Sequence, residues 1–312
     1  MSLAFVFPGQ GSQSVGMLSQ LATEFPQVQA TFSEASDVLG YDLWRLVSDG
    51  PVESLNQTDR TQPAMLAAGI AVWRSWQSVT DITPSFLAGH SLGEYTALVA
   101  AGAMEFADAI KLVEQRGLFM QQAVPIGTGA MAAVLGLDDG IVRSICSQAT
   151  VNGIVEAVNF NSPGQVVIAG ETSAVNAAIE LAKEQGAKRA LLLPVSVPSH
   201  CALMKPAAER LAIALVDITI QKPTIPVIHN VNVTKEKNSE NIKRLLTEQL
   251  YSPVRWVETI QYFATQGVDT LVECGPGKVL AGLTKRIDKS LVGLAMFDQA
   301  SLDKTVQALG EK

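Results

Sequence analysis

Cysteine and histidine are both scarce in this 312-residue chain, with three of each. Cys146, Cys201 and Cys274 are odd in number, far apart and without a CxxC pair. That pattern argues against a disulfide framework and a zinc ribbon, and it fits a reducing compartment. No apolar run approaches the roughly 18 to 20 residues that cross a bilayer. With hydrophobic residues at 47%, a soluble globular protein without membrane association is expected. A basic block is missing too, and the net charge of −7 disfavours nucleic acid while leaving room for a local basic patch facing an acidic partner. Met1-Ser2-Leu3-Ala4-Phe5 runs straight into a strand-like stretch with no basic n-region, long apolar h-region or small-residue cleavage site, so a cytoplasmic protein is expected. There is no repeat or low-complexity tract, and the length suits about two domains, or one large domain with an insertion.

Glycine is where the sequence becomes specific. Residues 4 to 16, AFVFPGQGSQSVG, place a glycine-rich turn after a short strand, a common arrangement for holding phosphate. Neither phosphate template fits. The dinucleotide fingerprint G-x-G-x-x-G meets Ser14 at its third glycine, and the following QVQATFSEASDVLG has helical spacing where a second strand should stand. The P-loop template starting at Gly11 finds Met17 and Leu18 in place of lysine and Ser/Thr. A tight turn using glycine for its backbone freedom stays open as the alternative.

FLAGHSLGEYTALVAAG carries a stronger signal at 86 to 102. Gly89-His90-Ser91-Leu92-Gly93 is a G-x-S-x-G pentapeptide between a strand-like run and a helix-favouring one, the context of a nucleophile elbow. Small flanking residues leave the serine open to approach, and the helix N-terminus with the Leu92 N–H can support a developing oxyanion. A plain strand-to-helix turn is the competing explanation. The serine needs a base. His90 is adjacent to Ser91 and points away from it in an extended segment. His229, in TIPVIHNVNV, ends a strand-like run and suits a structural place. His200, in LLLPVSVPSHCALM, lies where a strand gives way to a helix, which is where α/β enzymes put reactive groups, and it leads from position alone. No strand-end carboxylate stands out as orienting acid, so either the third member is not acidic or this is no ordinary hydrolase. Arg116, in LVEQRGLFMQQAV, is either an exposed helix arginine or an informative buried one.

FVFPGQGSQ, TQPA at 61 to 64, AGHSLGEYTALVAAG, Arg116-Gly117, GTGAMAAVLGL, VNFNSPGQVVIAG, PVSVPSHCALM and ECGPGKVLAGLTKRI together resemble the malonyl-CoA:acyl-carrier-protein transacylases of type II fatty-acid synthesis, nearly end to end. The resemblance implies transfer of malonyl from malonyl-CoA to a carrier-protein thiol. It implies Ser91 as nucleophile, His200 as base and then acid, and Arg116 as the ligand of the malonyl carboxylate. Backbone N–H groups of Gln10 and Leu92 would form the oxyanion hole. Gln249, from the QLY segment, would lie beside His200, giving a Ser-His dyad held by a backbone carbonyl. A large apolar residue after the serine goes with malonyl choice in the related polyketide acyltransferases, and Leu92 agrees; a second signature of those enzymes is absent, since VPSH stands in its place. No cofactor or metal is implied, and the family leans towards monomers.

The pattern from 125 to 196 reads β-α-β-β-α-β, with GAMAAVLGL, VEAVNFN, QVVIAG and KRALLLPVS as strands, which is a ferredoxin-like unit. The expected architecture is α/β: a large hydrolase-like domain with a parallel central sheet over 1–124 and 197–312, interrupted by a small domain over 125–196, with the site between them. Asn159 and Asn161 in VNFNSPGQ either bond the thioester region or serve turn chemistry. Lys188-Arg189 and Lys285-Arg286 are either solvated charges or the docking patch for an acidic carrier protein. Cys201, next to His200, reads as a small core residue. The competing functions are a serine thioesterase or esterase, with water as acceptor, and a carrier-binding scaffold with a dead site.

Overall fold

The computed structural model describes residues 2 to 195 and 197 to 310. Among them, nine strands form two sheets: β1 (Leu3–Phe7), β2 (Phe86–Gly89), β3 (Gly129–Leu135), β4 (Val155–Ser162), β5 (Gln165–Glu171), β6 (Arg189–Leu192), β7 (Val227–Ile228), β8 (Thr270–Cys274) and β9 (Val292–Met296). The larger sheet has the order β7-β2-β1-β8-β9, every pairing parallel.

Its central strand explains itself from LAFVF. A parallel strand covered on both faces has to be apolar throughout rather than alternating, and all five residues are buried. Phe5 and Phe7 project into one core, where Phe5 meets Trp73 and Trp76 of the helix Thr58–Val79 edge-on at 5.6 and 5.3 Å. Ala4 and Val6 project into the opposite core, around Trp256, Ile260 and Phe263. Both faces of the sheet are thus closed before any site is built.

The smaller sheet is antiparallel with the order β4-β5-β3-β6. Renumbered within the unit that order is 2-3-1-4, the ferredoxin-like arrangement. The helices Asp139–Ala149 and Thr172–Glu184 cover one face through Val142, Ile145, Val175 and Ala178. The other face packs Met131, Val158 and Val167 against Cys201 of the large domain. The two domains also share backbone bonds. Val254 N–H donates to the Val158 carbonyl at 2.8 Å, and Phe160 N–H donates to the Val254 carbonyl at 3.1 Å.

The last strand of the small sheet is shorter than KRALLLPVS suggests. Pairing stops at Leu192, one residue after which Leu193 N–H makes a final bond to the Met131 carbonyl, and Pro194 has no N–H to continue the ladder. The chain then leaves the sheet, and Leu193, Val195 and Val197 line the cleft between the domains. Ser196, the expected domain limit, lies outside the described residues, as do Met1 and Lys312.

Candidate active site

The elbow between β2 and the helix Gly93–Ala100 puts Ser91 at φ 53, the left-handed region that a serine rarely occupies. Neighbouring groups hold it there. His90 N–H donates to the Phe7 carbonyl at 3.0 Å, Ser91 N–H donates to Asn230 Oδ1 at 2.8 Å, and Asn230 Nδ2 donates to the Gly89 carbonyl at 2.7 Å. One buried asparagine therefore clamps the turn on both sides.

The flanking glycines are required by backbone-to-backbone contact. A Cβ on Gly93 would stand 2.1 Å from the Phe7 carbonyl oxygen, and one on Gly89 would stand 1.8 Å from the Gly93 carbonyl carbon. Gly9 makes the matching approach from the other side, since its Cβ would sit 2.4 Å from the His90 carbonyl oxygen. The glycines thus fit the β1 loop against the elbow rather than merely clearing space around Ser91. Because nothing flexible can yield, Gly93→Ala is expected to destabilise the fold by about 3 kcal/mol; a denaturant midpoint within error of the wild type would refute this.

His200 faces Ser91 from the far side of the insertion. Its Nδ1 lies 2.8 Å from the Gln249 carbonyl oxygen and its Nε2 lies 2.8 Å from Ser91 Oγ. A carbonyl only accepts, so Nδ1 carries the proton and Nε2 is free to accept from the Ser91 hydroxyl. His200 N–H also donates to the Leu250 carbonyl at 2.9 Å, so one short segment fixes both ring and backbone. Burial, and after it the positive charge of Arg116, push the imidazole down to about 3. The ring is consequently neutral, ready to accept a proton, across the ordinary pH range.

Arg116 lies in the helix Phe106–Gln122 and is 1% exposed. Its hydrogen bonds reach only neutral oxygens: Gln62 Oε1 at 2.8 Å, Gln249 Oε1 at 3.0 Å and Ser91 Oγ at 3.4 Å. Its Nε has no partner, and among the described residues it joins no ion pair. Burying a cation without a direct ion-pair partner is costly. Beside a Ser-His pair, such a guanidinium is suited to a substrate that brings its own carboxylate, which the planar fork can grip with two bonds.

Gln10 and Leu92 line the same cleft as Ser91, His200 and Arg116. Hydrogen bonds among the described residues occupy neither of their backbone N–H groups. The loop carrying Gln10 is backed by Pro8, against which Gly275 packs so closely that a Cβ there would lie 2.9 Å away.

The other residues singled out by sequence divide. Gln249 sits at the centre, its side chain on Arg116 and its backbone on His200. Asn159 lines the cleft and its Oδ1 is buried without a partner. The Asn161 Oδ1 is engaged by His90 Nε2 at 2.8 Å, while the His90 ring rests against Trp256. Lys188, Arg189, Lys285 and Arg286 are all exposed and away from the cleft lining. Cys201 is buried and donates to the Pro198 carbonyl, its thiol pushed up to about 12 by burial, so it is no competing nucleophile.

Four further residues build the site from below. Gln62 holds Arg116, Asn230 clamps the elbow, and Glu94 and His229 form a fully buried pair at 2.7 Å. Gln62 falls within the TQPA motif, but no role could be read from it. Glu94 reads in sequence as an ordinary first-turn helix acid.

The acyl transferase domain family model matches residues 4–303. The malonyl CoA-acyl carrier protein transacylase of Escherichia coli strain K12 is 57% identical over 299 residues, which cover 96% of this chain and 97% of that protein. A crystal structure of an acyl carrier protein S-malonyltransferase from Vibrio cholerae O1 superimposes with a TM-score of 0.95 at 61% identity, covering 98% of this chain and all of that one. A malonyl-transacylase in complex with its type II polyketide synthase acyl-carrier protein matches with a TM-score of 0.97 at 56% identity over the full length of both chains. With the domain model matching nearly the whole chain and relatives this close over their full lengths, the chain belongs to the malonyl CoA-acyl carrier protein transacylase family.

Proposed function

We propose that the protein moves the malonyl group of malonyl-CoA to the phosphopantetheine thiol of an acyl carrier protein through a malonyl ester on Ser91. The reading rests above all on Arg116, a buried cation that joins no ion pair among the described residues, beside a serine bonded to a neutral histidine. His200 takes the Ser91 proton as Oγ attacks the thioester carbonyl, and the oxyanion is received by the N–H groups of Gln10 and Leu92. As the intermediate collapses, the C–S bond breaks and His200 returns the proton to the CoA sulfur. The carrier thiol then enters in place of CoA, gives its proton to His200 and takes the malonyl group, and Ser91 Oγ leaves with the proton. A structure of the acylated protein is expected to have the Gln10 N–H aimed at the ester carbonyl oxygen.

Substrate choice follows from charge. Malonyl carboxylate pairs with Arg116, whereas an acetyl group would leave the guanidinium buried and unpaired. Asn159 supplies a free amide oxygen at the cleft wall, and Asn161 acts through His90.

For the carrier protein we favour the basic end of the small sheet. Arg286 donates to Gln165 at 3.4 Å, Gln165 pairs with Leu135, and Leu135 pairs with Arg189, so the Lys188-Arg189 and Lys285-Arg286 pairs gather at one end. Reversing Lys285 and Arg286 to glutamate is expected to raise KM for the carrier about tenfold at low salt, with the difference shrinking as salt is added. Malonyl-Ser91 formation from malonyl-CoA should hold within about twofold, and a carrier KM unchanged at low salt would remove this surface from consideration. The protein is expected to act as a cytoplasmic monomer, with residues 125–196 as the small domain and the flanking 1–124 and 197–312 as the large one.

The direct test is to incubate the protein with malonyl-CoA, look for malonyl mass on the Ser91 peptide, and then add carrier protein with its phosphopantetheine arm. Transfer to the carrier supports the proposal. CoA release with free malonate as the product would favour a hydrolase, and absence of an adduct would exclude both.

A further inference from the structure

Glu94 is wholly buried in the first turn of the helix that follows Ser91, and its carboxylate accepts three hydrogen bonds from two separate parts of the chain. His229 Nδ1–H donates at 2.7 Å, Asn230 N–H at 2.9 Å and Gln249 Nε2–H at 2.9 Å. A carboxylate only accepts, so the end of the Gln249 amide that faces it has to be the NH₂. That choice leaves the amide oxygen facing Arg116, which it meets at 3.0 Å. The same NH₂ also donates to the Ser91 carbonyl at 3.1 Å.

We propose that Glu94 is a positioning residue for acyl-group selection: it fixes the polarity of the Gln249 amide and thereby holds Arg116 aimed at the substrate carboxylate. The Glu94 carboxylate makes no hydrogen bond or ion pair with Arg116, and Glu94 does not line the cleft. One amide separates the buried anion from the buried cation, so Arg116 is oriented without being neutralised, and its charge stays available to malonyl. A carboxylate in direct contact would pair with the guanidinium and compete with the substrate. The inference rests on the malonyl-transfer reading above.

Glu94→Gln tests it, because the substituted amide has one acceptor oxygen for three donors and turns an NH₂ towards at least one of them. Gln249 then gains by rotating, and its NH₂ comes to face Arg116. The expected result is a malonyl-to-acetyl transfer ratio at least about tenfold lower than wild type, carried mainly by a higher KM for malonyl-CoA, with acetyl transfer changed by no more than about threefold. A purely structural role would lower both acyl groups alike. A variant with a wild-type circular dichroism spectrum and an unchanged ratio therefore overturns the inference.

Glu94→Asp gives a second route should the first variant not fold. It keeps the charge but withdraws it by one methylene, out of reach of Gln249, and its ratio is expected to fall as well; a folded Glu94→Asp with the wild-type ratio is equally fatal. Wild-type protein is assayed alongside. Failure of the wild type to transfer malonyl at all would overturn the functional proposal, and this inference with it, whereas normal wild-type transfer with unchanged variant ratios overturns only the role of Glu94.

Discussion

Ser91→Ala is expected to lower malonyl transfer by at least about 10⁴-fold, since a nucleophile and its base act as a unit and losing either removes most of the chemical step. No nearby group can take over. Cys201 follows His200 directly, but its thiol is buried, bonded to the Pro198 carbonyl and pushed up to about 12, so it supplies no thiolate. The fold should survive, because Asn230 grips the elbow through the Ser91 N–H and the Gly89 carbonyl and not through the hydroxyl. Intact-protein mass after exposure to malonyl-CoA provides the readout. Malonyl mass on the alanine variant, or transfer above about 1% of wild type, would be incompatible with the ester intermediate.

Arg116→Ala carries the second large effect, and it has two parts. Malonyl transfer is expected to fall about 10³-fold, comparable to the 3 to 5 kcal/mol lost when one partner of a buried charge pair is removed. Acetyl transfer, which never used the charge, should change by about tenfold or less. The second part concerns His200. The Arg116 cation disfavours the imidazolium, and it stands next after burial among the causes that hold the ring at about 3. His200 must be neutral to accept the Ser91 proton, so the rate falls as pH drops through its pKa.

In the wild type that fall lies near pH 3, and the rate should stay level from neutrality down to about pH 4. Without the cation the pKa rises, and the acidic limb of the acetyl-transfer profile moves to higher pH. Equal losses for the two acyl groups would remove Arg116 from carboxylate recognition, and superimposable acidic limbs would remove it from the tuning of His200. Stability shares this linkage. Below about pH 6.5 the unfolded chain protonates at position 200 while the folded one does not, so acid weakens the fold progressively down to the folded-state value.

The elements that form the sheets were legible wherever hydrophobic period and length agreed. LAFVF, short and apolar at every position, read as a strand, and the β-α-β-β-α-β order of the small domain followed from short strand-like runs and helical stretches cut by glycine turns. KRALLLPVS misled because its apolar residues past Leu192 line a cleft and not a sheet, and both demands select the same side chains. At the site, Ser91 was marked by its glycines and His200 by the scarcity of histidine. Arg116 could not be distinguished locally from an exposed helix arginine, since burial of one charge is decided by distant partners, here Gln62 and Gln249. Glu94 and Asn230 stayed hidden for the same reason, as did the partner of His229, which read as a structural histidine. They meet across sequence separations of 135 and 136 residues, and nothing in EYTALVAA distinguishes a buried acid from one that caps a helix in solvent.

The backbone bonds between Val254 and the edge of β4 bear on how this protein could be re-engineered. The segment that extends the small sheet at Val254 begins, five residues earlier, with the carbonyl that orients His200. A graft of the small sheet, β3 to β6, from a relative would therefore bring a sheet edge that has to mate with a segment left behind in the recipient. The transplantable module is discontinuous, comprising the insertion together with residues 249–255, and a chimera cut only at the insertion's own ends would inherit a mismatched seam under its base.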